Sequence, residues 1–470
     1  MSGKLATGFA LPARLRHGLP DRVRRIRLSG LAKASGGSLA VLIAGAGLSY
    51  LAQVATARLI GPESFGIHAY VLAWTTLLGY AATLGFRVSL LRLLPAYRAT
   101  GDWARARGLT RFSARCTAAT AGAAAVGGMI LVAALLGTAS EQALAFLIGL
   151  WVVPLVACQL VVATGVRAWG GVVSALVPER ILRDSVAVAV LAALLASGLL
   201  APGAPAAALA LVAGGLAALA ASCLMLRRRA PQELHGATAA LAPRDWLRPT
   251  LPLTVLMLAD VLASRAGTLV LGSVGAIQEA GIFAVAYSLS VLAALPRMAI
   301  ASAFAPTVAE LHVRGERQRL QALSARAARL SLAATGLVAI PLMIAAGPLL
   351  SLFGPSFGAG APAVVILVAA QVFAAACGPQ QHLLTMTGHE RWVAYSLTAA
   401  VAANVGVALL LAGSLLGVAL ATAGSLVGWN LFMLVAVRRR LGLRPGLLAA
   451  TRAGEAAGGE ASPRAEGVQR

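Results

Sequence analysis

The sequence predicts an all-α membrane protein of about 12 transmembrane helices, arranged as two six-helix lobes around a central cavity. Three observations carry that expectation. Hydrophobic residues make up 59% of the chain and only 12% are charged, with a mean hydropathy of +0.83. A soluble domain is about a quarter charged, and a fold of this size could not bury so much apolar surface in its own core. The apolar residues fall in continuous runs of about 20, the length of helix that crosses a bilayer, and not in the short alternating segments of barrel strands. Basic residues occupy every second interval between those runs.

In order, the first half offers spans near 37–59, 65–86, 113–137, 143–163, 182–200 and 205–225. The second half offers 250–272, 278–300, 329–351, 360–380, 393–412 and 415–436. The fifth is the weakest, because Arg180 and Arg183 press on its start. Abundant Gly (50 residues) and Ala suit close helix packing in lipid. The expected organisation is a basic arm over 1–36, a first lobe over 37–230, a linker over 231–249, a second lobe over 250–437 and a tail over 438–470. The arm carries no recognisable cleaved signal.

Arginines crowd Arg87 to Arg115, Arg167 to Arg183, Arg227 to Arg248, Arg314 to Arg329, Arg391, and the tail from Arg438. The alternate intervals, near 138–142, 201–204, 273–277, 352–359 and 413–414, contain no Lys or Arg. Cytoplasmic loops hold the basic excess, so an even number of crossings with both termini in the cytoplasm is expected. This distribution also explains the net charge of +23 without nucleic acid, for which no recognition motif is present. The cysteines Cys116, Cys158, Cys223 and Cys377 lack metal-ligand spacing and read as small buried hydrophobes. No metal or cofactor is expected.

The halves repeat one another. GPESFGIHAY at 61–70 parallels VGAIQEAGIFAVAY at 274–287, aligning Gly66 with Gly281. LRLLPAYRATGDWARARGL at 91–109 parallels AFAPTVAELHVRGERQRLQAL at 303–323. Six spans per copy give parallel lobes related by an axis along the membrane normal, an architecture that encloses a midplane cavity and rocks to open it to either side.

Charged groups inside spans mark candidate function. Arg58 lies near the outer end of the first span, Arg87 at the inner end of the second, and Asp260 and Arg265 within the seventh. The repeat places Arg58 and Arg265 comparably, so two arginines facing across a cleft would suit an anionic head group such as a diphosphate. Asp260, about 140° from Arg265 around the helix, is expected either to counter-charge an arginine or to take part in ion coupling. Gln53 is expected to flank the same cavity. Gln53, Gln159, Gln371, Asn404 and Asn430 read as interhelical hydrogen-bonding groups, and Glu63 and Glu279 as acidic residues at helix starts. No P-loop, HExxH motif or catalytic constellation is visible, which favours a transporter over an enzyme.

Four segments resemble the polysaccharide-biosynthesis flippases of the multidrug/oligosaccharidyl-lipid/polysaccharide exporter superfamily: ARLIGPESFGIHAY (57–70), LRLLPAYRATGDWARARGL (91–109), APTVAELHVRGE (305–316) and LFGPSFGAGAPAVVILVAAQVFAAACGPQQHLLTMTGHERW (352–392). The resemblance implies a bacterial inner-membrane protein that flips an undecaprenyl-diphosphate-linked oligosaccharide for O-antigen, capsule or exopolysaccharide assembly, beside a polymerase and glycosyltransferases. It implies that cavity arginines hold the anionic substrate, here loosely Arg58, Arg87 and Arg265. A cation-coupled multidrug exporter and a noncatalytic scaffold of a polysaccharide assembly complex are the alternatives.

Overall fold

A computed structural model describes residue 41 and residues 43–446; the basic arm over 1–36 and the part of the tail over 447–470 lie outside the described residues. Every regular element among the described residues is helical. The first lobe contains α1 (Ile43–Ile60), α2 (Pro62–Ala82), α3 (Phe86–Thr100), α4 (Trp103–Leu136), α5 (Glu141–Gly149), α6 (Val152–Ala168), α7 (Val172–Val177), a π turn (Pro178–Leu182), α8 (Arg183–Ala196) and α9 (Ala204–Arg229). After a short α10 (Gln232–Gly236), the second lobe contains α11 (Pro243–Ser273), α12 (Ile277–Val313), α13 (Arg317–Ile344), α14 (Ala346–Ser351), a 3-10 turn (Pro355–Gly360), α15 (Ala361–Cys377), α16 (Gln380–Met386), α17 (Glu390–Leu410) and α18 (Leu415–Leu441).

Among the described residues, 11 helical segments are long and apolar enough to cross a membrane. The remaining expected span, the fifth, is a composite. Its apolar stretch in α8 has only 14 residues, but α7, the π turn and α8 follow one another without a break. A π turn inserts an extra residue into a helix and recurs at functional sites.

Several helices outrun their apolar windows. The segment expected to start at 113 begins at Trp103, the one expected at 329 begins at Arg317, and α11 begins at Pro243, inside the stretch expected as a linker. Hydropathy registers only the lipid-facing turns, whereas backbone hydrogen bonding continues into the amphipathic, arginine-rich turns beyond them. The two repeated corners are built alike. Gly101 and Gly315 take left-handed φ values of 70° and 71°, which glycine adopts without steric cost. An acidic residue follows each: Asp102 pairs with Arg105 at 3.5 Å and Glu316 with Arg319 at 2.7 Å.

The lobes join at both ends of the bundle. At the end carrying the basic loops, Trp246 of α11 is fully buried among Phe86, Leu90, Leu94 and Leu109 of the first lobe, and its indole N–H donates to the Tyr97 hydroxyl at 3.0 Å. At the opposite, charge-poor end, Gly66 of α2 packs on the backbone of Ile277 and Gly281. Beside this seam, Phe65 makes edge contacts with Phe353 and Phe357, at centroid distances of 6.1 and 5.7 Å. The Tyr50 hydroxyl donates to the Leu349 carbonyl at 2.8 Å.

Three of the cysteines are less buried than expected: Cys116, Cys158 and Cys223 are half-buried and only Cys377 is buried, all four being free thiols. The neutral polar groups also depart from expectation. Gln371 does accept an interhelical bond, from Arg297. Gln53 and Asn430 instead donate to carbonyls one turn back on their own helices, and Gln159 and Asn404 each keep a buried amide atom without a partner.

Candidate functional site

Between the lobes lies a cavity of about 1190 Å³. Its walls come from α1 (Ser49, Tyr50, Gln53), α2 (Phe65, His68), the π turn and α8 (Arg180, Arg183, Asp184), α9 (Ala207, Ala210), α11 (Ser264, Arg265) and α12. The α12 residues run from Ala284 to Ala303, roughly 28 Å of helix at 1.5 Å per residue, so the cavity extends toward the basic end. At the charge-poor end the aromatic cluster and the glycine seam close it.

The charged lining is predominantly cationic: Arg180, Arg183 and Arg265 against a single carboxylate, Asp184. Arg183 pairs with Asp184 at 2.8 Å, and the Ser49 hydroxyl also donates to Asp184. Arg180 lies 3.9 Å from Glu179, whose other oxygen is 3.2 Å from Arg167. Arg265 has no carboxylate partner among the described residues; the groups that act on it electrostatically are Tyr287, Arg183 and Tyr80. A half-buried guanidinium without a carboxylate partner among the described residues, near a second guanidinium, gives this wall the chemistry to receive an anion. The lining also includes His68, whose Nδ1 is buried without a hydrogen-bond partner.

Local packing fixes the π turn. A Cβ on Gly45 would stand 2.8 Å from the Arg180 Cβ, and one on Gly214 would stand 2.4 Å from the Arg183 carbonyl oxygen. Only glycine lets α1 and α9 press this close, and together they clamp the arginine-bearing segment against the cavity.

Of the residues expected at the cavity, Arg265 and Gln53 line it. Arg58, Arg87 and Asp260 do not. Arg58 is exposed beyond the seal and donates to the carbonyls of Leu352 at 2.5 Å and Ser351 at 3.0 Å, so it does not face Arg265 across a cleft. A residue near the outer end of α1 is carried past the closure, while Arg265 sits deeper along α11. Arg87 rests over the Tyr80 ring at 5.1 Å and acts on Arg167. Asp260 lies on an exposed face of α11, where Arg87 is the charge acting on it; the 140° turn from Arg265 takes it off the cavity wall. The expectation missed Arg180, Arg183, Asp184, Tyr50, His68 and Tyr287. The charged run ERILRD at 179–184 was legible, but read as the edge of a loop and not as a helical turn inside the bundle.

No curated protein matches the sequence. The chain is similar to solved structures of a multidrug resistance MATE family transporter of the MOP superfamily. The inward-facing form has a TM-score of 0.69 at 16% identity, covering 84% of this chain and 94% of that one. The outward-facing form has a TM-score of 0.61 at 16% identity, covering 87% and 96%. It is also similar to a MOP superfamily transporter from Pyrococcus furiosus Vc1, described by the reverse polarity of its binding pocket, with a TM-score of 0.62, 15% identity, and coverage of 87% and 96%. A family model described as polysaccharide biosynthesis protein matches residues 31–312. That match spans more than half of a chain with the MOP transporter fold, and the protein belongs to the polysaccharide biosynthesis protein family.

Proposed function

We propose that this transporter flips a polyprenyl-diphosphate-linked oligosaccharide across the bacterial inner membrane, for O-antigen, capsule or exopolysaccharide assembly. The observation that carries the reading is the cavity wall on which Arg180, Arg183 and Arg265 meet one carboxylate. A diphosphate bears the charge and the planar acceptor geometry that guanidinium groups recognise bidentately. An organic cation would meet the wrong sign, and the reverse-polarity pocket of the Pyrococcus furiosus transporter provides a parallel within the fold.

The physical task fits the shape. Each sugar hydroxyl moved unaided through hydrocarbon costs several kcal/mol; a cavity between lobes shields the head group while the prenyl chain stays in lipid. The basic end, taken as cytoplasmic by its arginine excess, is where the substrate enters the cavity. Closure there, with opening of the charge-poor seam, delivers it to the periplasm by alternating access. The reading requires no bond making or breaking by the protein, hence no catalytic residue or cofactor. Its partners are the lipid-linked oligosaccharide and the polymerase and glycosyltransferases of the same assembly line.

The test is surface glycan in a deletion strain complemented with wild type, Arg265→Gln or Arg183→Gln at matched membrane levels. Loss of polymer with lipid-linked units retained on the cytoplasmic leaflet, unrescued by the arginine variants, is the expected result. Undiminished glycan export by the deletion strain, in a background holding no second flippase, overturns the assignment and turns attention to small-molecule efflux.

A further inference from the structure

A second unbalanced cation lies inside the second lobe, away from the central cavity. Leu295, Met298 and Ala299 of α12 face that cavity, but Arg297 between them does not. Arg297 turns toward α15 and donates to the Gln371 side-chain oxygen at 3.3 Å. Its Nε is buried without a hydrogen-bond partner.

The groups that meet it among the described residues are neutral. Electrostatic contact links Arg297 to the Cys377 thiol and to His382, and Gln380 lies beside Cys377. Burial, and then the Arg297 charge, hold His382 below the ordinary imidazole value, so it adds no positive charge near neutrality. Among the described residues no carboxylate pairs with Arg297. Both amide atoms of Gln380, only 1% exposed, are also buried without a partner. The first lobe treats its half-buried arginine differently: Arg167 has Glu179 at 3.2 Å.

A guanidinium with a buried, unpartnered Nε inside a lobe is costly, and a counter-ion stabilises it where the described residues supply no carboxylate. Arg297 Nε–H is the free donor available to one, and beside it stands the Gln380 amide, whose one polar neighbour among the described residues is the Cys377 sulfur. The surroundings are tight: a Cβ on Gly378 would stand 3.0 Å from the Ala328 side chain. Ser331 and Thr335, on the face of α13 that carries Ala328, have buried hydroxyls without partners. We infer that the second lobe binds a small monovalent inorganic anion, of the chloride class, between Arg297 and Gln380. This site is separate from the transported head group and does not depend on the flippase reading.

The purified full-length protein tests this by thermal unfolding in sodium chloride, sodium bromide and sodium gluconate at equal ionic strength. The site predicts a saturable rise of about 3 °C in chloride and bromide over gluconate, lost in Arg297→Gln and in Gln380→Leu but retained in Arg265→Gln. No difference between chloride and gluconate, or an equal rise in a folded Arg297→Gln protein, overturns it. Should the Arg297 variant not fold, bromide anomalous scattering from wild-type crystals decides. A peak within hydrogen-bonding distance of Arg297 Nε is expected, and water alone at that position rejects the site.

Discussion

Gly66 of α2 and Gly281 of α12 meet backbone to backbone: a Cβ on Gly281 would stand 2.9 Å from the Gly66 Cα. These are the two residues that the internal repeat aligns. Equivalent positions in two copies touch only near the axis that relates them, so their contact locates the pseudo-two-fold axis at the sealed end of the cavity. The same seam must part if the cavity is to open on that side.

The seam therefore tolerates no side chain at Gly66. A Cβ there would lie 2.2 Å from the Ile277 carbonyl oxygen, and backbone cannot yield as a flexible side chain does. Gly66→Ala is expected to cost the sealed state about 1–3 kcal/mol, shifting the opening equilibrium roughly tenfold. Faster labelling of an Ala284→Cys reporter on the cavity wall, by an impermeant thiol reagent added from the charge-poor face of a protein lacking its native cysteines, would show it. An unchanged rate in a folded variant would contradict this role.

Arg58 latches the same seam from outside. Its guanidinium ties the end of α1 to the last carbonyls of α14 and the residue beyond, where the negative end of a helix favours a cation. Arg58→Gln should raise Ala284→Cys labelling less than Gly66→Ala does, because the bonds are exposed and screened. It should leave substrate affinity unaltered. A Kd change matching that of Arg265→Gln would instead return Arg58 to the substrate path.

Asp184 balances the cavity arginines, accepting from Arg183 at 2.8 Å and from Ser49. In Asp184→Asn the Arg183 guanidinium loses its charged acceptor. A loss of about 1.5–3 kcal/mol in stability is expected, read by denaturant unfolding in detergent. The more positive wall should at the same time bind a soluble diphosphate more tightly. Weaker diphosphate binding in a folded variant would mean that Asp184 positions Arg183 instead of opposing the ligand.

The spans were legible because lipid imposes one rule on every residue facing it, and the alternation of Arg-rich and bare intervals is what makes an even crossing count the expectation. Gly66 and Gly281 were legible as a pair because close backbone approach admits one residue type. The cavity was less so. Arg265 and Gln53 reveal themselves as polar groups deep within apolar runs, but Arg180 and Arg183 sit where a run begins, a position equally natural for a loop arginine. Only the π turn and the glycines at 45 and 214 bring them inward, and both are properties of packing. Arg58 failed for the converse reason: symmetry along the sequence fixes depth only to within a turn or two, and that offset put it outside the seal.

At the basic end Trp246 is 0% exposed and carries the start of α11 into the first lobe. Phe86, Leu90, Leu94 and Leu109 surround it, and Tyr97 accepts its N–H. Truncation to Ala leaves a cavity that helices anchored elsewhere cannot fill, at a cost of about 3–5 kcal/mol. Trp246→Phe keeps most of the contact and loses chiefly the hydrogen bond, at about 1 kcal/mol. If the buried ring is a pivot about which the lobes rock, the Phe variant should transport at near wild-type rates. The Ala variant should lose both stability and transport. A stable Ala variant with normal transport would show that the lobes are coupled at the glycine seam alone, and that this apolar anchor is dispensable.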